Sequence, residues 1–242
     1  MVKQTDFAVF LNRFLTDYLP NKRGSSPKTI DSYRYSFIFL IDYYEGAYRI
    51  GPDRLALADI TYEKISGYFD WLQETKLSSV STRNQRQAAI NSFIRFLTYE
   101  RPEYLNEYQR ILAIPVKKAP QKEISYLKTD GVSALMGTVD TSKTNGLRDY
   151  VILMLLYSTG IRVSELINLK IRDISLHMPY TLLVHGKGNK SRYIPLLKDA
   201  VPIIQRYLDS DIFHGYVDVN RWLFVNHMKK QFTRQGINHL IK

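Results

Sequence analysis

Leu155-Leu-Tyr-Ser-Thr-Gly-Ile-Arg-Val-Ser-Glu-Leu-Ile-Asn-Leu-Lys-Ile-Arg-Asp-Ile174 is the stretch around which the second half of this chain is organised. It starts inside Val151 to Tyr157, where every residue is apolar or aromatic, and that run predicts a helix buried on all sides. Gly160 then breaks the helix, because glycine accepts a left-handed terminus without steric cost. The chain restarts at once, with Val163, Leu166 and Ile167 at i, i+3 and i+4, so a second helix turns its apolar face to the same core. Arg162 falls at the break, beside the new helix N-terminus, where an anion is favoured. A phosphate clamp fits this position, and so does a C-cap or an ion-pair partner. Glu165 fits the first turn of a helix, where the dipole favours an acid.

The next informative segment is Tyr180-Thr-Leu-Leu-Val-His-Gly-Lys-Gly-Asn-Lys-Ser-Arg-Tyr-Ile-Pro-Leu196. Two β-prone runs, Thr181 to Val184 and Arg192 to Ile194, flank a Gly-Lys-Gly-Asn-Lys turn and predict a hairpin. Lys187 lies between two glycines at its tip. A lysine there can swing into a neighbouring site and supply both a charge and a proton, or simply stand in solvent.

Together these segments resemble the tyrosine recombinase, or phage integrase, family. The resemblance rests on Thr159-Gly-Ile-Arg-Val-Ser-Glu-Leu166, Leu169, Asp173-Ile174, Gly186-Lys-Gly-Asn-Lys190, Arg192 and Ile194-Pro195, with 25 positions between Arg162 and Lys187. It implies that Arg162 grips the scissile phosphate, that Lys187 protonates the departing 5′ oxygen and that Glu165 steadies the site. It also implies a fold that is mainly α with a small β-hairpin, an α+β arrangement. An N-terminal core-binding domain of four to five helices would precede an incomplete recombinase catalytic domain.

The composition agrees. A net charge of +11 and a pI near 9.6 suit a partner of high negative charge, most simply nucleic acid. With no cysteine, disulfides, thiolate metal sites and cysteine nucleophiles are excluded. The sequence shows no signal peptide and no apolar run of membrane-spanning length, so the expectation is a soluble cytoplasmic protein without a membrane partner. The five histidines show no metal-ligand spacing, and the Gly-Lys-Gly-Asn-Lys turn lacks the order of a P-loop, so neither a metal nor another cofactor is expected.

In chain order, Phe7, Phe10, Leu11, Phe14, Leu15 and Tyr18 predict an amphipathic helix that ends at Pro20. Ser26-Pro27 opens a second helix to about Tyr44. Thr61 opens a third, carrying Ile65, Tyr68, Phe69 and Leu72 inward, and Ser79 a fourth, with Ile90, Phe93, Ile94 and Leu97 on one face. On the fourth helix Arg83, Arg86 and Gln87 are assigned to the opposite face, as phosphate and base contacts or as an ordinary solvated surface. Residues 1–112 are expected to form the core-binding domain. Residues 113–123, with Pro115, Lys117-Lys118 and Pro120, form a basic linker, and 124–242 the catalytic domain. Net charge is +2 over residues 1–112 and +9 over 113–242, so DNA contacts are also expected from Lys117, Lys118, Lys190 and Arg192.

In the second domain, Thr129-Asp130 is expected to cap a short helix and Asp199 a later one containing Pro202. The family's chemistry also uses a His-x-x-Arg box and a C-terminal tyrosine nucleophile, and none of the 242 residues matches these. His239 reads as a helix-face residue, while Tyr193, Tyr207 and Tyr216 read as packing residues, so no nucleophile is nominated. The implied activity is site-specific recombination of double-stranded DNA through a phosphotyrosyl intermediate, with self-association on the DNA. The sequence is expected to be shortened and itself inactive. An inactive DNA-binding regulator of a full-length recombinase is the alternative.

Overall fold

The computed structural model describes residues 4–120, 126–186, 188, 190–210, 213 and 218–241. The chain divides into two compact units, Met1–Glu123 and Ile124–Lys242.

The first unit is a bundle of α1 (Asp6–Arg13), α2 (Pro27–Tyr48), α3 (Tyr62–Glu74), α4 (Val80–Glu100) and α5 (Leu105–Leu112). Their starts follow capping chemistry: the hydroxyls of Thr5, Ser26, Thr61 and Ser79 accept backbone N–H groups of the first turns of α1, α2, α3 and α4. The first helix does not stop at Pro20. It widens into a π-helical turn, Phe14–Lys22, that contains the proline. α2 also runs four residues past the expected Tyr44, ending at Tyr48 with Arg49 as a left-handed cap. The core is strongly aromatic: Phe14 lies 5.2 Å from Phe93 and 6.1 Å from Phe37, ring centre to ring centre. Part of the expected linker belongs to this unit, since Ile114 is buried in its core and Lys117 Nζ donates to Gln73 Oε1 at 2.6 Å.

The second unit contains α6 (Thr129–Gly137), α7 (Thr144–Thr159), α8 (Val163–Leu166), β1 (Ile174–Ser175), β2 (Thr181–His185), β3 (Ser191–Pro195), α9 (Val201–Leu208) and α10 (Arg234–Ile241). The strands form an antiparallel sheet in the order β1-β2-β3, with Leu182 opposite Ile194 and His185 opposite Ser191. Val151, Ile152 and Leu155 of α7 are wholly buried against Leu166, Leu182, Val184, Ile204 and Tyr207. The helix is not buried all round, however: Tyr157 is 58% exposed, because the apolar run there outlasts the core. Gly160, at φ +62°, terminates α7, and its N–H returns to the Leu156 carbonyl at 3.1 Å.

Three further expectations are corrected. Lys128 occupies the N-cap position of α6 and Ala200 that of α9, neither with a side-chain cap, so Thr129-Asp130 and Asp199 do not cap. Tyr193 is 72% exposed on β3 and so is not a core packing residue, whereas Tyr207 is fully buried and donates to the Leu223 carbonyl at 2.8 Å. Tyr216 lies outside the described residues. Arg148, which the sequence gave no reason to single out, is buried in α7 and donates to the Val225 carbonyl at 3.1 Å and to Asp149 Oδ1 at 2.7 Å. Among the described residues no helix is long and apolar enough to cross a membrane.

Candidate active site

The break between α7 and α8 places Arg162 one residue ahead of a four-residue helix. At that helix N-terminus stands the chain's own first-turn acid, as the dipole reading of Glu165 expects. The Glu165 carboxylate folds back, and its Oε2 accepts the Arg162 N–H at 3.0 Å. The same carboxylate receives Arg162 Nη1 at 3.2 Å and a two-pronged contact from Arg192 of β3, Nη1 to Oε1 at 3.1 Å and Nη2 to Oε2 at 2.9 Å. Glu165 is thus a buried hub with two cationic spokes. Its side chain is 5% exposed, that of Arg192 43% and that of Arg162 75%.

The electrostatics follow from this geometry. The Arg192 hydrogen bonds, and then the Arg162 N–H, hold the Glu165 carboxyl down at about 2 against the opposing cost of desolvation. The Arg192 guanidinium is held above its ordinary value by hydrogen bonding to Glu165. Glu165 is therefore ionised at any physiological pH. Arg162 spends one side-chain N–H on it and keeps the other four of the guanidinium free of this contact.

Arg192, expected from the sequence as a DNA contact, commits two of its N–H groups to Glu165 and ties β3 to α8. Gly186 lies over the same cluster. A Cβ on it would come within 3.4 Å of Arg192 Nη1, Glu165 Oε1 and the Lys190 carbonyl. The hairpin thus approaches Glu165 through its backbone, with the Gly186 N–H bonded to the Lys190 carbonyl at 2.7 Å. The Lys190 side chain is exposed, and Lys187 lies outside the described residues. Asp173 in the turn before β1, His185 at the end of β2 and Ser191 at the start of β3 have no role assigned from sequence.

Of the three groups expected on the polar face of α4, Arg83 and Gln87 are not there, and Arg86 is half-buried. Arg83 is 3% exposed and Gln87 fully buried. Arg83 Nη1 donates to Gln87 Oε1 at 2.6 Å, and Gln87 Nε2 donates to the Ile114 carbonyl at 2.7 Å, satisfying the chain that leaves α5. The Arg83 guanidinium also stacks 4.8 Å from the centre of the Phe69 ring, and Arg86 lies 3.5 Å from that of Phe39. Spacing could have revealed this: Arg83, Gln87, Ile90, Ile94 and Leu97 step 4-3-4-3 along one stripe. The exposed face carries Gln85, Ala88 and Arg95 instead. Beside it is a cleft of about 380 Å³ whose lining includes Arg23, Asn84, Asn91 and Arg95. Lys117, bonded to Gln73, and Lys118 are both exposed.

A model of the phage integrase family matches residues 125–242, and one of the phage integrase N-terminal SAM-like domain matches residues 11–101. The tyrosine recombinase XerD of Listeria monocytogenes is 30% identical over 238 residues, covering 96% of this chain and 77% of that protein. The chain belongs to the phage integrase family of tyrosine recombinases. A protein described as the integrase/recombinase y4rC, from Sinorhizobium fredii, is 35% identical over 208 residues. That alignment takes in 86% of this chain but only 63% of the relative's length. In fold, the chain is similar to the XerH site-specific recombinase solved as a post-cleavage complex with its difH substrate. The TM-score is 0.68 at 18% identity, over 100% of this chain and 73% of that one.

Proposed function

We propose that this chain serves site-specific DNA recombination: it binds a double-stranded site and presents Arg162 to the phosphate at which a strand is broken and rejoined. The single observation that carries the reading is the Arg162–Glu165–Arg192 cluster. A guanidinium anchored at its base to a buried, ionised carboxylate and left 75% exposed is preorganised to donate to a phosphodiester oxygen. In the reaction, negative charge grows on the equatorial oxygens of the phosphorane, and Arg162 donates to one of them. Lys187, on the hairpin that passes over Glu165, supplies the proton that leaves with the 5′ oxygen. The attacking tyrosine is assigned to no residue of this sequence.

The first unit contributes affinity through α4's exposed side and the cleft that includes Arg23 and Arg95, and Lys117, Lys118 and Lys190 add to it. Relatives support the DNA partner by name. XerH was solved on difH DNA, and the Tn1549 integrase with a circular-intermediate DNA. Because strand exchange joins two duplexes, copies of the chain are proposed to meet on the DNA. The test is fluorescence anisotropy of a labelled duplex between about 50 and 200 mM salt, a range over which 6–10 phosphate contacts lose about 10³ to 10⁵ in affinity. Binding that is absent at low salt, or indifferent to salt, would sink the reading.

A further inference from the structure

α4 carries four side-chain amides, and three of them are closed to a ligand. Gln87 is fully buried, with its oxygen bonded to Arg83 and its nitrogen to the Ile114 carbonyl. Asn84 accepts Arg83 Nη1 at 3.2 Å on its oxygen and donates from its nitrogen to the Lys117 carbonyl at 2.7 Å. The Asn91 oxygen is sealed from solvent. Gln85 differs from all three. It stands on the exposed side of the helix, and its Nε2 donates to Ser32 Oγ of α2 at 2.8 Å. Among the described residues nothing else bonds to this amide, so one N–H and the oxygen remain available.

The side of α4 that bears Gln85 suits a base edge. Ser81, Gln85, Ala88 and Arg95, all exposed, follow at intervals of four, three and seven residues, which keeps them on one side of a helix. The one acid of α4, Glu100, is its last residue and is bonded to Arg13 at 2.6 Å, so no carboxylate interrupts that side. An α-helix fits the major groove of DNA, where adenine presents N7 as an acceptor and its N6 amino group as a donor.

We propose that Gln85 is a specificity-determining residue that reads an adenine in the major groove, its remaining N–H donating to N7 and its oxygen accepting from N6, with Ser32 as the positioning residue for that amide. The inference rests on the DNA reading above and names a base which that reading selects through α4. The bond to Ser32 orients the glutamine tip before DNA arrives, so less rotamer freedom is lost on binding. Guanine offers acceptors at both N7 and O6, which sets the glutamine oxygen against another oxygen.

The test is selection of a pool of duplexes with a randomised central segment by the full chain, followed by sequencing of the bound fraction. Wild type is expected to prefer an A·T pair at one position by about tenfold. Gln85→Ala flattens that position and leaves the rest of the motif intact, while Ser32→Ala keeps the A·T preference but lowers it about threefold. Replacing that adenine by 7-deazaadenine, which lacks the N7 acceptor, weakens wild type about fivefold and Gln85→Ala not at all. Thermal unfolding confirms that each variant is folded. A motif that Gln85→Ala leaves unchanged, or a flattened position that carries G·C, overturns the proposal. So does a fall in melting temperature in both variants with the motif unaltered, which marks the bond as a clasp between α2 and α4. Undiminished preference in Ser32→Ala overturns the positioning role. Salt-dependent binding without any sequence preference condemns the adenine contact and leaves the DNA reading standing, whereas no salt-dependent binding condemns both.

Discussion

Glu165→Gln is the perturbation that asks most of the structure. Four contacts end on this carboxylate, three from guanidinium nitrogens at 2.9–3.2 Å and one from the Arg162 N–H at 3.0 Å. Glutamine has the same size but only one acceptor oxygen, and its amide turns two protons toward guanidinium groups that are themselves donors. The change therefore removes about two charge-assisted bonds, each worth about 1.5–3 kcal/mol where water is excluded. Here both guanidinium groups stay in reach of solvent, which screens the interaction and leaves them hydrated when the partner is lost. The expected net loss is about 2 kcal/mol, a fall of roughly 5–10 °C in the melting temperature of a unit this size. The pH dependence provides the sharper check. The folded-state value of about 2 lies below the ordinary glutamate value of 4.5, so the stabilisation is complete above about 4.5 and lost as pH falls toward 2. Thermal unfolding followed by circular dichroism should show the largest gap between wild type and variant at pH 6 to 7, and almost none near pH 2, wherever the fold persists. Equal melting temperatures at neutral pH, or a gap that does not close with acid, would refute the hub.

Arg162→Ala should weaken duplex binding and lower the slope of log affinity against log salt by about one, leaving the melting temperature within about 1 °C; an unchanged slope removes it from the phosphate contacts. Arg83→Ala should do the opposite, costing about 2–3 kcal/mol of stability in urea unfolding because Gln87 loses its partner in a buried site, with duplex affinity unchanged when folded protein is compared. Arg95→Ala should reduce duplex affinity without loss of stability, as read by anisotropy and thermal unfolding together. Tyr207→Phe should cost about 1–2 kcal/mol by orphaning the buried Leu223 carbonyl, again read by urea unfolding.

What could be read from sequence was periodicity and caps. Ile65, Tyr68, Phe69 and Leu72 are all buried, as their spacing demands, and Ser26, Thr61 and Ser79 cap the helices they precede. Where sequence reasoning failed, it sorted residues by polarity and not by angle. Arg83 and Gln87 are polar, so polarity alone puts them on the exposed, DNA-facing side, yet their register continues the apolar stripe and the carbonyls of Ile114 and Pro115 make that burial tolerable. No local pattern could have predicted those carbonyls, which arrive from about thirty residues away. The same holds for Arg192. Its neighbours in sequence are a hairpin, and only the pairing of β3 against β2 brings it to Glu165, 27 positions upstream.

Arg162 and Arg192 share one acid but cannot share one task. Arg192 meets Glu165 through two parallel N–H bonds, an arrangement that fixes a guanidinium in plane and direction and spends the edge it would otherwise offer a phosphate. Arg162 touches the same acid with one nitrogen at 3.2 Å and leaves most of its surface open. A phosphate bound by Arg162 would therefore find the cation already held on one side by Glu165, with four guanidinium N–H groups outside that contact. Arg192 has the complementary role, because its bond crosses from the sheet to α8 and so keeps the hairpin backbone at Gly186 against the acid that orients Arg162. In this geometry the buried carboxylate joins α8 to β3, and the Arg192 hydrogen bonds that hold it ionised keep both guanidinium groups facing a charged partner at neutral pH.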